Sequence, residues 1–308
     1  MNFLPHDWTL TQSQLDVWVR QSQKQAKAGR IPTYISHLEH AYPGWFAVHI
    51  ATLNGRVYKS GKGNLAFSLM SVVKPLVLLY LLELLGAKDV FAWVNTHPSD
   101  QPFNSITQLK QDKGIPRNPM LNSGAIALMS LMPGKDGTTK CNRFCQWLNQ
   151  WAGTQLKLDQ TVLRSVRQLP NERNRALARS LAQAKRLDGD MKTALDAYEQ
   201  VCCISATVEI LAQLGMLLID RSLDIDPNNQ RITISLMSTC GLYEESGHFA
   251  VTAGIPTKSG VSGAILAVVP NQGAIACYSP PLNVMGNSVG GLYFLQQLSR
   301  NLNLSVFS

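Results

Sequence analysis

Charge is scarce in this 308-residue sequence: 16% of its residues are Asp, Glu, Lys or Arg, against 45% hydrophobic and 7% aromatic. That balance excludes a disordered chain, which stays unfolded through net charge and a shortage of apolar surface. Long apolar runs are missing too. The longest, Leu76 to Leu82, falls far short of the roughly 20 residues a bilayer-spanning helix needs, so no membrane role is expected. The opening MNFLPHDWTL places Pro5, His6 and Asp7 where a secretory signal requires an apolar stretch, and a cytoplasmic protein is expected. Cysteines number only six (Cys141, Cys145, Cys202, Cys203, Cys240 and Cys277). Their spacing matches no zinc pattern and no histidine stands near either pair, so reduced, buried thiols with no metal and no cofactor are expected.

Acidic residues are the scarcer sign, 20 against 28 basic, for a formal net charge of +8. Much of the excess lies between Lys157 and Lys192, in Arg164, Arg167, Arg173, Arg175, Arg179, Lys185 and Arg186. Aromatic residues do not interleave with this run, which argues against nucleic acid and for a solvated helical face or a site for small anions.

The sequence does contain a stretch around which the rest is organised, FSLMSVVKPLVLLYLLELLG, from Phe67 to Gly86. Pro75 suits a first helical turn, and the leucine run predicts a helix buried on most of its surface. Three-residue spacing puts Ser71 and Lys74 on one face at its start. Apolar neighbours would desolvate Lys74, lower its pKa and let it accept the Ser71 proton, while the free N–H of Ser71 could hold an oxyanion. Alone, the pair reads better as a capping serine and a snorkelling lysine, because Ser-x-x-Lys recurs by chance on ordinary helix surfaces.

Before this stretch, residues 11–28 predict an amphipathic helix. WFAVHIATL and RVYKSG then read as strands joined by Asn54-Gly55, a type I′ hairpin signal. The middle of the chain is helical, broken near Gly153, Pro170 and Gly189. GHFAVTAG, VSGAILAVVP and GAIACYS read as strands, and a helix from about Ser288 to Leu302 closes the chain. An α+β protein is expected: a single catalytic domain over 1–308, its antiparallel sheet built from both termini (about 1–70 and 241–308), flanked by helices around an inserted helical region (about 71–240).

A second motif, Lys258-Ser259-Gly260, stands immediately before VSGAILAVV. Lys-Ser/Thr-Gly ahead of an edge strand marks serine β-lactamases and penicillin-binding proteins, where the glycine permits close approach and the strand edge offers N–H groups. Lys258 would add positive charge to the cleft.

Longer segments resemble the serine-dependent glutaminases, members of the β-lactamase/DD-peptidase-like superfamily. They are MSVVKP (70–75), PFNSI (102–106), KGIPRNPMLNSGAI (113–126), CGLYEESGHFAVTAGIPTKSGVSGAILAVVPNQG (240–273) and YSPPLNVMGNSVGG (278–291). The resemblance implies hydrolysis of L-glutamine to L-glutamate and ammonia through a serine acyl-enzyme. It puts the nucleophile at Ser71, the base at Lys74, a proton-passing tyrosine at Tyr243 and an oxyanion-hole N–H at Val261. Tyr34, Asn122, Asn174 and Tyr198, together with Ser71, Tyr243 and Val261, match substrate-binding positions; Lys258, Ser259 and Gly260 support the cleft. It also implies a homodimer or homotetramer and activation by phosphate or another anion.

Two elements depart from the family pattern, the lesser being Pro98-Ser99-Asp100, in a loop, for the usual Pro-Ser-Gly. A Ser-Glu-x-Glu element precedes the family's Arg-Asn pair, and its first glutamate contacts substrate; here the region reads LRSVRQLPNERNRALA, with Val166 or Arg167 in that place. Neither side chain can neutralise a substrate ammonium, so weak glutamine binding, altered amide specificity or a non-catalytic amino-acid- or anion-binding role are the alternatives. Glu172 is expected in a surface ion pair. A lysine facing bulk solvent, or a Val261 N–H locked into the sheet ladder, would defeat the hydrolase reading.

Overall fold

The computed structural model describes residues 8–33, 35–168 and 171–308; Tyr34 lies outside the described residues. Among the described residues there are eight strands: β1 (Ala47–Thr52), β2 (Val57–Gly61), β3 (Phe67–Ser68), β4 (Lys157–Leu158), β5 (Ile204–Ala206), β6 (Thr257–Ser259), β7 (Ala264–Val269) and β8 (Gly273–Tyr278). Five of them form an antiparallel sheet in the order β2-β1-β8-β7-β6, so strands from the two ends of the chain meet at its centre, where Ala47 opposes Tyr278. The remaining three make a small sheet, β3-β5-β4.

Side-chain alternation along the strands feeds two cores. Ile265, Ala267 and Val269 of β7, with Ile275 and Cys277 of β8 and Val48 and Ile50 of β1, face one side. There they meet Leu15, Trp18 and Val19 of the helix Gln12–Ala26 and Phe294, Leu295 and Leu298 of the helix Val289–Leu302. The alternate residues Ala264, Leu266, Val268, Ala274, Ala276 and Tyr278 face the helical region on the other side. This is why β7 and β8 read as continuous apolar runs: a strand covered on both faces has no polar face to show.

The helix Lys74–Leu85 lies within the larger core, and every residue from Lys74 to Leu82 is buried. Pro75 occupies its first turn and Gly86, at φ +79°, ends it. Near the end Glu83 accepts hydrogen bonds from the Asp226 N–H (3.1 Å) and from Asn229 Nδ2 (2.8 Å), tying down the start of the helix Pro227–Cys240.

Three local expectations differ from the structure. The β1–β2 connection is not a type I′ turn: Gly55 has φ +81°, Asn54 does not share the positive φ, and Gly55 N–H donates to Thr52 O at 3.0 Å. Thr52 N–H then donates to Arg56 O at 3.0 Å, giving a three-residue loop with glycine in the left-handed position. GHFAVTAG is not a strand but the helix Ser246–Thr252; Ser246, Phe249 and Ala253 turn inward at helical spacing while Val251 stands in solvent. The small sheet was not anticipated, because strands of two or three residues carry no periodicity to read. It matters to the site, since Leu69 N–H donates to Ile204 O at 2.8 Å and anchors the chain two residues before Ser71.

Candidate active site

Ser71 lies in a 3-10 turn, Met70–Val73, that runs directly into the helix Lys74–Leu85. The residue before it, Met70, is buried with φ +46°, a left-handed conformation that costs a non-glycine residue about 1–3 kcal/mol and persists only where packing imposes it. Coming after the β3 anchor, that bend turns the serine into the space between helix and sheet.

Lys74 is 1% exposed. Its amine donates to Met120 O at 2.9 Å and to Asn122 Oδ1 at 2.8 Å, and burial pulls its pKa down to about 8. A neutral amine has two N–H groups and one lone pair. Both N–H groups are committed to those carbonyl oxygens, which leaves the lone pair for the hydroxyl one turn away. No direct hydrogen bond joins Ser71 Oγ to Lys74 Nζ among the described residues; such contacts tighten when substrate seats.

Asn122 opens the helix Asn122–Leu131 and passes the chain of contacts onward, its Nδ2 donating to Asn174 Oδ1 at 3.0 Å. Asn174 is on the helix Glu172–Gln183, and Tyr198 is buried on the helix Met191–Cys202. One turn beyond Tyr198 stands Cys202, a buried thiol whose pKa burial pushes up to about 11 and which lies close enough to Lys74, Tyr198 and Lys258 to feel all three.

Opposite Ser71, β6 carries Lys258 and Ser259. Gly260 follows, where an added Cβ would lie 2.8 Å from Leu69 O and 3.4 Å from Ser71 N; only glycine lets the two segments come so close. Val261 falls beyond β6, and neither its N–H nor that of Ser71 donates to any acceptor among the described residues. Two free main-chain donors on adjacent segments are what an oxyanion requires.

Tyr243, in the 3-10 turn Tyr243–Glu245, has φ +57° and a buried hydroxyl. That hydroxyl makes no well-formed hydrogen bond among the described residues. Burial raises its pKa to about 12, with Ser71 and Ser259 near enough to oppose the rise. Its ring packs on Phe103 (4.8 Å between centroids), and the Lys258 amine sits 4.5 Å from its centre. Lys258 does not act as the free cation expected of it. Fully buried, it donates to Ser259 O at 2.7 Å, and desolvation followed by the charge of Lys74 drives its pKa well below the ordinary lysine value.

The larger departure falls on the helix Gln160–Gln168. Arg167 turns toward the helix Met191–Cys202, bonding Asp196 through Nη2 and standing 3.6 Å from Glu199 Oε2 through Nε. Asn171 Nδ2 donates to the other Glu199 oxygen at 2.9 Å. Glu172 is exposed and pairs with Arg175 (3.4 Å) and Arg179 (3.7 Å) rather than with Arg173 beside it. Among the described residues no group of His, Cys, Asp or Glu is arranged to hold a metal, and no helix is long and apolar enough to cross a membrane.

The family model described as Glutaminase matches residues 29–307. The chain belongs to the glutaminase family. It is 44% identical over 292 residues to a glutaminase of Synechocystis sp., covering 94% of this chain and 89% of that one. Among solved structures it is similar to the probable glutaminase ybaS, with a TM-score of 0.90 and 33% identity, covering 97% of this chain and all of the other. It is similar also to the Bacillus subtilis glutaminase YbgJ in its covalent complex with 5-oxo-L-norleucine, formed by reaction with 6-diazo-5-oxo-L-norleucine (TM-score 0.87, 27% identity, 96% and 99% covered). The fold is the α+β, β-lactamase-like one these glutaminases have.

Sequence reasoning about this glutaminase missed Cys202, Asp196 and Glu199, whose place beside the site depends on which helix lies next to Lys74. Gly260→Ala should fold and lose on the order of 10²-fold in kcat, the scale of one lost oxyanion donor; steady-state kinetics beside a thermal melt would check it, and unchanged kcat would contradict the close approach.

Proposed function

We propose that this glutaminase hydrolyses the side-chain amide of L-glutamine to L-glutamate and ammonia, with Ser71 as nucleophile. The observation that carries the reading is Lys74: a buried amine with pKa about 8, its N–H groups already committed, one turn from a serine whose own N–H, like that of Val261, is free of acceptors among the described residues. Lys74 takes the Ser71 proton as Oγ bonds the amide carbon, and the N–H groups of Ser71 and Val261 hold the oxyanion. As the C–N bond breaks, Tyr243 gives its proton to the nitrogen, and the proton held by Lys74 restores the phenol. Water, deprotonated by the same amine, then attacks the ester, and Ser71 Oγ leaves with the proton. No observation favours a β-lactamase or a binder over this reading.

Lys74 is a competent base only when uncharged, so kcat/KM should rise with pH through about 8 and level off above it. 6-Diazo-5-oxo-L-norleucine should label Ser71, located by peptide mass spectrometry, and Ser71→Ala should release no ammonia. Labelling elsewhere, or turnover by that variant, would overturn the assignment.

For the substrate's ammonium we assign Glu199. It lies one turn before Cys202 on the same helix, and Arg167, tied to Asp196 and Glu199, leaves the trio with a net charge of −1. Asn171, which bonds Glu199, is one turn from Asn174, bringing the carboxylate to the end of the wall formed by Lys74, Asn122 and Asn174. Tyr34, Asn174 and Tyr198 are assigned the remaining substrate contacts. Glu199→Gln should raise KM for glutamine about tenfold with little change in kcat; an unchanged KM, or preference for an α-amino-blocked amide in the unmodified protein, would favour altered specificity.

A single catalytic domain, supported by the core that joins sheet and helical region, a cytoplasmic location, and a homodimer or homotetramer complete the reading. The exposed Arg173, Arg175 and Arg179 on one helix support phosphate as an effector. Light scattering with and without phosphate should give a mass of two or four chains; a monomer in both would contradict it.

A further inference from the structure

A buried asparagine outside the reacting groups ties together the two elements that meet at Tyr243. Asn287 has no exposed surface and lies in the loop 283–287. Its Nδ2 donates to Leu242 O at 3.1 Å and to Glu245 Oε2, and its Oδ1 accepts from Ser259 Oγ. Asn283 Nδ2 donates to the same Glu245 oxygen at 2.7 Å, and its Oδ1 accepts from Asn287 N–H at 3.0 Å. The loop also runs across the tyrosine: a Cβ on Gly286 would lie 3.8 Å from both the Tyr243 ring and the Val261 side chain.

The direction of these bonds follows from donor and acceptor chemistry. Leu242 O and the Glu245 carboxylate only accept, so the amide nitrogen of Asn287 must face them and its oxygen must face Ser259. That oxygen only accepts, so the single Ser259 proton points to it. Ser259 therefore turns lone pairs, and no proton, toward Tyr243. Meanwhile the bonds to Leu242 and Glu245 grip the residues flanking Tyr243, which helps to hold its left-handed backbone.

We infer that Asn287, backed by Glu245, is a positioning residue: by fixing the direction of the Ser259 hydroxyl and clamping the Tyr243 turn, it holds the Tyr243 hydroxyl in place to give its proton to the departing nitrogen. This rests on the reading of Tyr243 as the proton donor. Without Asn287, the Ser259 hydroxyl loses its fixed direction and the turn loses its clamp.

The test compares two leaving groups in the full-length protein: glutamine, whose nitrogen must be protonated, and a γ-glutamyl phenyl ester, whose phenolate leaves without a proton, read above its spontaneous cyclisation. Asn287→Ala should lower kcat/KM for glutamine on the order of 10²-fold while leaving the ester within a few-fold. If that variant fails to fold, Ser259→Ala, which removes the oriented hydroxyl, should separate the substrates in the same sense. Tyr243→Phe is the reference. If it separates amide from ester while Asn287→Ala and Ser259→Ala slow both equally or neither, the inference is overturned alone. If Tyr243→Phe does not separate them, the reading of Tyr243 falls and the inference falls with it.

Discussion

Removing one amine from water is the constraint on which this protein's architecture depends. A lysine brought from its ordinary pKa near 10.5 to about 8 gives up roughly 3 kcal/mol of differential stability between its two protonation states. Each leucine buried beside it contributes about 1.5–3 kcal/mol, and the helix from Lys74 to Leu82 carries several. The apolar run is thus at once the centre of the core and the means by which the lysine is held ready to accept a proton. A more exposed helix would return Lys74 toward its ordinary pKa near 10.5, where the share of amine with a lone pair to offer at neutral pH is on the order of 10²-fold smaller.

A second lysine sharpens the same constraint. Lys74 and Lys258 are both buried, and the charge of Lys74 adds to desolvation in disfavouring that of Lys258. The carbonyls of Met120, Asn122 and Ser259 give the two amines hydrogen bonds without supplying a counter-charge. Main-chain strain is present nearby. Met70, before the serine, and Tyr243, facing it, are both left-handed without being glycine, while Gly260 permits the end of β6 to approach Leu69 and Ser71 closely. Each is a position where the local preference of the residue yields to the packing around it.

Much of this was legible in the sequence, wherever one residue type has one physical use. Proline at the start of a leucine run, serine and lysine one turn apart, and glycine between a lysine-serine pair and an apolar strand all stand where they were read. Failures came where local pattern was ambiguous. FAVT suits strand and helix alike, Asn-Gly serves two kinds of hairpin loop, and strands as short as Phe67–Ser68 have no period. That Arg167 pairs with Asp196 and Glu199 was not legible, because those partners lie on a helix some 30 positions further along.

By itself, then, the sequence determined which residues could react and on which kind of element each would stand, because helical spacing, turn chemistry and apolar patterning act over a few neighbours. Only the tertiary structure decided how deeply Lys74 would be buried, which carbonyls would accept its hydrogen bonds, that the charge of Lys258 would be disfavoured by burial, and that Asn287 would govern the direction of bonds at Ser259. Desolvation and hydrogen-bond direction depend on groups distant in the chain, and those become neighbours only when the chain folds.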